Sequence, residues 1–173
     1  VVVGAGWTQT LPTALPTYAY GWRVNSGGTT SSLTGPSGAS TGLRYLYLET
    51  SVISTMLGVP APLTSPCINI DSLSSPALSF DYHMYGSMIG TLQISVNGDS
   101  LWSLSGQQQI SSAAAWTSAQ IDLSAYSGGK ATIEISGTKE TLIIASAMGK
   151  TTNALEKVIQ NYYNAKHELQ SSI

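Results

Sequence analysis

A chain of 173 residues with only 9% charged residues and a formal net charge of −2 has no basic patch with which to hold nucleic acid. Its length suits one domain with a substantial core. The single cysteine, Cys67, excludes an intrachain disulfide, so packing must supply the stability. Ser, Thr, Asn, Gln and Gly furnish the surface, a composition that suits secreted or surface-displayed β-proteins. No Asn-x-Ser/Thr sequon is present, and no apolar run has the length of a bilayer span. The opening VVVGAG is too short, and lacks the basic flank, for a signal peptide. A first residue that is not Met suggests a processed or truncated product.

Residues 1 to 44 are rich in Gly, Thr, Ser and Pro, with Trp7 and Trp22 as large apolar anchors. Short strands between long loops are expected there, and the run from Ser26 to Pro36 reads as a surface loop folded against the body. Tyr45-Leu46-Tyr47-Leu48-Glu49 alternates, and the pattern predicts Leu46 and Leu48 inward with both tyrosines outward or sideways. Pro60 and Pro62 break the chain before Leu63 to Ile68, which is expected as an edge-type segment because Pro66 cannot donate to a ladder.

The organising stretch is Phe80 to Leu104. Leu78, Phe80, Tyr82 and Met84 fall on one face of a strand, with Ser79, Asp81, His83 and Tyr85 on the other. Leu92, Ile94 and Val96 repeat that alternation. Asn97-Gly98 then supplies the two positive-φ residues of a type I′ hairpin. Trp116–Leu123, Ala131–Ser136 and Thr141–Met148 read as further strands. Strands punctuated by turn signals, with no interior helix, predict an all-β, two-sheet sandwich. Beyond Gly149 the pattern changes. Asn153 is the expected cap of a helix running to about Leu169, with Leu155, Val158, Ile159, Tyr162, Ala165 and Leu169 on one face. Such an apolar stripe needs a surface to pack on.

Several pieces stand in a distinctive order and spacing: Gly6-Trp7, Thr34-Gly35-Pro36, Tyr45 to Ser51, Leu63-Thr64-Ser65-Pro66 and, most specifically, Phe80-Asp81-Tyr82-His83-Met84-Tyr85-Gly86 followed by Met88, Gly90, Thr91 and Leu92. Trp102, Gly106, Trp116 and Ile121-Asp122-Leu123 continue the series. Over roughly residues 4 to 138 these pieces resemble one known family, the MAM domains of meprins, neuropilins and receptor tyrosine phosphatases, with their bacterial relatives. The resemblance implies a jelly-roll β-sandwich of two antiparallel sheets, and together with the residue pattern it divides the chain into a MAM-like sandwich over residues 1–149 and the C-terminal amphipathic α-helix over 150–173. It also implies an extracellular adhesion, recognition or oligomerisation module without catalysis. Three departures stand out. The acidic first strand ahead of Gly6-Trp7 is missing, Ala39 follows the Thr-Gly-Pro segment in place of an acidic residue, and Ala145-Ser146-Ala147-Met148 replaces the acidic last strand. Family cation sites draw on such positions, so no metal is carried over, and the vertebrate disulfides are absent. A sandwich lacking its first strand leaves an unpaired edge near Val1 that invites strand addition. Either the fragment starts late or a neighbour completes it.

Candidate chemistry outside the resemblance is sparse. His83, with Asp81 and Ser79 two and four positions earlier on the same strand, suggests a Ser-His-Asp arrangement. Residues i and i+2 on a strand stand about 7 Å apart, too far for the required hydrogen bonds, so His83 is read as structural. His167 lies on the expected helix. Asn69 with Asp71, and Asn97 with Asp99, offer oxygen ligands of the kind calcium takes, but such residues more often serve turns. Cys67 reads as a buried hydrophobe. Tyr18, Tyr20, Trp22, Tyr45 and Tyr47 form either core or a platform for sugar rings. No catalytic, cofactor-binding or metal-binding residue is assigned, and no cofactor is expected. Leu155, Ile159, Tyr162, Lys166, Leu169 and Ile173 follow a 4-3-4-3-4 spacing that serves either docking on the sandwich or assembly with other chains.

The expected function is a non-catalytic extracellular module for adhesion or recognition, displayed on a surface or in an assembly. Its expected partners are proteins, foremost copies of itself through the N-terminal edge and C-terminal helix, and glycans as a second class. A structural subunit of an extracellular filament, sheath or virion, and a carbohydrate-binding module, are the alternatives.

Overall fold

The computed structural model of the chain describes residues 6–10, 20–50 and 56–139. The strand expected at 141–148, the helix expected at 150–173, the edge near Val1, Tyr18 and His167 lie outside the described residues. Among the described residues there are eleven strands: β1 (Thr8–Gln9), β2 (Gly21–Asn25), β3 (Tyr45–Glu49), β4 (Ala61–Thr64), β5 (Ile68–Asn69), β6 (Ala77–Tyr82), β7 (Ile89–Val96), β8 (Asp99–Ser105), β9 (Thr117–Asp122), β10 (Lys130–Ala131) and β11 (Ile133–Lys139). A single 3₁₀ turn at Ser124–Tyr126 is the only helical piece among the described residues.

The fold is all-β, and every strand pairing is antiparallel. One sheet has five strands in the order β1-β4-β11-β7-β8, and β2-β3, β6-β9 and β5-β10 form two-stranded ladders. The arrangement is that of a β-sandwich. Alternation along β7 and β11 sends Leu92, Ile94, Val96, Ile133 and Ile135 to one face of the five-stranded sheet. Two apolar clusters grow from that face. In the first, Ile94, Val96 and Ile133 meet Ile70, Ile121, Leu123 and Ala131, flanked by Leu78, Phe80 and Trp102. In the second, Tyr20, Trp22, Ala61 and Leu63 are flanked by Leu46, Leu48, Leu92 and Ile135. Full burial of a side chain such as Ile94 is worth roughly 1.5–3 kcal/mol.

The Asn97-Gly98 hairpin forms as the sequence predicts, with φ of 52° and 95° at the two residues. It is also fastened from outside. Asn97 Nδ2 donates to the Lys130 carbonyl at 3.0 Å, and its Oδ1 accepts from the Thr132 amide at 2.8 Å. The turn is thereby bonded to the backbone on both sides of Ala131.

The stretch Phe80 to Leu104 divides between two ladders: β6 pairs with β9 while β7 and β8 belong to the five-stranded sheet, so residues 83–88 cross from one to the other. Three expectations need correction. Leu63 to Ile68 is not one edge segment: Leu63 and Thr64 belong to β4, which lies between β1 and β11, whereas Ile68 begins β5, which pairs with β10 alone. Pro62 is tolerated because β1 faces only Thr64 and Leu63. Tyr45 is not outward but buried at 8% exposure. Its hydroxyl donates to the Gly27 carbonyl, and its ring meets Trp116 edge-on at 5.7 Å. Cys67 is exposed, because the chain leaves β4 at Ser65-Pro66 to reach the separate β5–β10 ladder.

Candidate functional site

The β2-β3 and β6-β9 ladders share no pairing, and between them the apolar interior opens as a groove of about 560 Å³. β3 forms one wall, the Leu78–Met84 stretch the other, and Leu92, Ile94, Ile133, Ile135 and Gly137 the floor. The floor is closely covered at one point. A Cβ on Gly137 would stand 2.8 Å from Leu48 Cδ2 and 3.2 Å from Trp22 Cζ2, so the side chains of Leu48 and Trp22 pack directly over the β11 backbone at this point.

Three loops are laced together at one end of this groove. From the 26–44 loop, the Gly35 amide donates to the Tyr85 carbonyl and the Ser37 amide to the Ser112 carbonyl, both at 2.8 Å. Trp116 Nε1 donates to the Gly38 carbonyl at 3.1 Å. Leu33 adopts φ 58° at this loop, a conformation costly for a side-chain-bearing residue, and it is exposed. Ile110 in the 106–116 loop and Leu43 are exposed as well. Gln109 ties the third loop in. Its Oε1 accepts the Met84 amide at 2.5 Å and its Nε2 donates to Thr117 Oγ1 at 3.1 Å. Gln109 is buried, and the run Gln107-Gln108-Gln109 has no periodicity that would mark it from sequence. Gln107 Oε1 accepts the Gly86 amide at 3.2 Å, a second clamp on the crossover.

His83 lies just past the end of β6, against Trp116 with ring centroids 5.5 Å apart. Both ring nitrogens are buried without a hydrogen-bond partner. Burial pushes its pKa below the usual imidazole value, while the Ala114 and Ser111 carbonyls pull the other way without closing well-formed bonds. Asp81 does not serve it. That carboxylate accepts from Ser118 Oγ and Ser40 Oγ, each at 2.6 Å, and the two hydroxyls, Ser118 first, hold it below the ordinary carboxylate range.

Asp122 and Asp99 are used in the same way. Asp122 accepts the Ser124 hydroxyl and amide, which lowers its pKa. Asp99 accepts the Tyr126 hydroxyl at 2.9 Å, which raises the phenol above its usual value. Asn69 Oδ1 accepts the Asp71 amide at 3.1 Å, a local side-chain turn of the kind asparagine commonly makes. Among the described residues no three His, Cys, Asp or Glu side chains gather as metal ligands. Tyr20, Trp22 and Tyr45 are buried, so three of the five aromatics considered as a sugar platform are core. Burial also raises the Tyr20 phenol above its usual pKa.

Among the described residues each two-stranded ladder has an unpaired edge on both strands, and the five-stranded sheet has two. β1 and β8 end the five-stranded sheet. β1 has only two residues, whereas β8 has seven, and Asp99, Ser100, Leu101, Ser103 and Ser105 along it are exposed. No helix among the described residues is long and apolar enough to cross a membrane.

Comparison with known proteins agrees with this architecture. A 95-residue stretch is 35% identical to Neuropilin-1a of Danio rerio, covering 50% of this chain and 10% of that protein, so the chain spans about a tenth of the length of this relative. The family model for the MAM domain, meprin/A5/mu, matches residues 6–145, and the chain therefore belongs to the MAM domain family.

Proposed function

We propose that this chain is an extracellular, non-catalytic adhesion or recognition module of jelly-roll architecture, displayed on a surface or within an assembly, with copies of itself as its foremost partners. The observation that carries the reading is how the polar groups are spent. Asp81, Asp99, Asp122, Asn97 and Gln109 all hold the scaffold together. Among the described residues the features left open include an apolar groove and unpaired strand backbone. Those features suit recognition of a protein surface or strand. Membership of a family of adhesion-type extracellular modules supports the same reading.

Contacts of this type are individually weak, and display in many copies multiplies them. The test is clustering of beads that carry the full chain at high density. Clusters that free chain disperses are the expected result. Beads that stay single at every coating density contradict self-recognition, and retention on a glycan surface in their place would favour the carbohydrate-binding alternative.

A further inference from the structure

From the β7-β8 hairpin we infer that Asn97-Gly98 is a modification site: a spontaneous deamidation centre that the fold holds in check, and whose conversion unfastens the turn from Lys130 and Thr132 irreversibly. It goes beyond the recognition proposed above and does not depend on it.

The chemistry needs an asparagine amide and an unhindered amide nitrogen on the next residue. Asn97 is the one asparagine of the sequence followed by glycine. Both residues are exposed, and a Cβ built on Gly98 would meet no atom within 4 Å, so nothing shields that nitrogen sterically. Asn25 and Asn69 precede Ser26 and Ile70, whose side chains stand beside the nitrogen that would attack. In the reaction the Gly98 nitrogen gives up its proton and bonds to Asn97 Cγ. The Cγ–Nδ2 bond breaks, and ammonia leaves with the proton. Water then opens the five-membered succinimide at either carbonyl, giving aspartate at position 97 or isoaspartate, whose main chain runs through Cγ. Water is the one co-reactant.

Two features of the folded hairpin oppose ring closure. The φ values of 52° and 95° are those of a type I′ turn, in which ψ of the first central residue is about +30°. That ψ places the Gly98 nitrogen on the far side of the Cα–C bond from Cβ, whereas the ring requires the two nearly eclipsed. The amide itself is also held elsewhere. Nδ2 donates to the Lys130 carbonyl at 3.0 Å and Oδ1 accepts the Thr132 amide at 2.8 Å, and both bonds must break before Cγ can turn to Gly98.

The same bonds define what conversion removes. Both backbone groups of Thr132 are bonded to Asn97, since the Asn97 amide donates to the Thr132 carbonyl at 3.0 Å. A carboxylate at 97 has no proton to donate, so it sets an oxygen against the Lys130 carbonyl where Nδ2 stood. Isoaspartate adds a carbon to the main chain of a two-residue turn whose register depends on its length. A hairpin that has opened and converted therefore does not refasten.

The experiment incubates the full chain at pH 8, native and in guanidinium chloride, and follows each asparagine by peptide mapping with mass spectrometry, with isoaspartate labelled by an isoaspartyl methyltransferase. In denaturant, position 97 is expected to convert faster than every other asparagine. In the native chain it is expected to convert about tenfold to a hundredfold more slowly, the factor for opening two hydrogen bonds together. No conversion at 97 in denaturant overturns the site, and native conversion as fast as in denaturant overturns the restraint by the fold. Converted chains, separated by ion exchange, are expected to melt below the wild type and to exchange the Asn97 and Thr132 amide hydrogens faster. Asn97→Asp, which reproduces the aspartate product, is expected to melt lower as well. Converted chains with wild-type melting and exchange would overturn the unfastening.

Discussion

Replacing Gln109 with leucine tests whether one buried amide secures the crossover between the layers. The Gln109 side chain accepts the Met84 amide at 2.5 Å and donates to Thr117 Oγ1 at 3.1 Å, and it is 5% exposed. Leucine of similar size removes both bonds and strands the Met84 N–H, since Met84 is buried too. An orphaned buried donor costs about 1–3 kcal/mol, partly offset by the apolar side chain. At roughly 2–4 °C per kcal/mol for a chain of this size, thermal unfolding read by circular dichroism falls by several degrees. A double-mutant cycle makes the test specific. Thr117→Val leaves the Gln109 amide nitrogen unpaired and costs about 1 kcal/mol in the wild type, but close to nothing beside Gln109→Leu. Gln109→Leu within about 0.5 kcal/mol of the wild type, the range of an ordinary surface change, would refute the clamp.

Three further outcomes follow from the same structure. Ile94→Ala, at 2% exposure in the larger cluster, lowers stability by about 2–5 kcal/mol in urea titration. Gly90→Ala places a Cβ 2.5 Å from the Thr138 carbonyl oxygen, backbone that cannot step aside as a side-chain end does, and costs about 1–3 kcal/mol in thermal or urea unfolding. The His83 pKa is lowered in the folded state, so below pH 6.5 the unfolded chain binds more protons. Stability should therefore fall with pH from 6.5 down to the lowered folded value and then level. His83→Phe should flatten that step. The carboxyls of Asp81 and Asp122, held below 3.8, lose their contribution only as pH falls below that value. A denaturation series from pH 8 to 3 that shows no His83-dependent step would contradict the buried environment.

Legibility from sequence follows the range of the interaction. The hairpin at Asn97-Gly98 was readable because its backbone demand is local and only a few residue types meet it. The inward faces of β7 and β11 were readable because burial repeats every second residue. Strand partnership was not: β6 pairs with β9 across more than thirty intervening residues, and no local signal distinguishes that from pairing with β7. Tyr45 misled because its face of β3 is covered by Trp116 and the 26–44 loop, neither of which the alternation encodes. Cys67 misled because apolar character predicts burial only where an element places it inside, and Pro66 turns it out. Gln109 carried no signal at all, since a buried amide in a loop has no period. Of the candidate surfaces, the strand edge near Val1 was an expectation, while β8 became visible only once the sheet order was known.

The most direct measurement is single-molecule force spectroscopy between one chain on a tip and another on a facing surface. Specific rupture events between the two copies, abolished by free chain in solution and rare against a bare surface, are the predicted result. Rupture events no more frequent than on the bare surface would contradict a module that acts by recognising copies of itself.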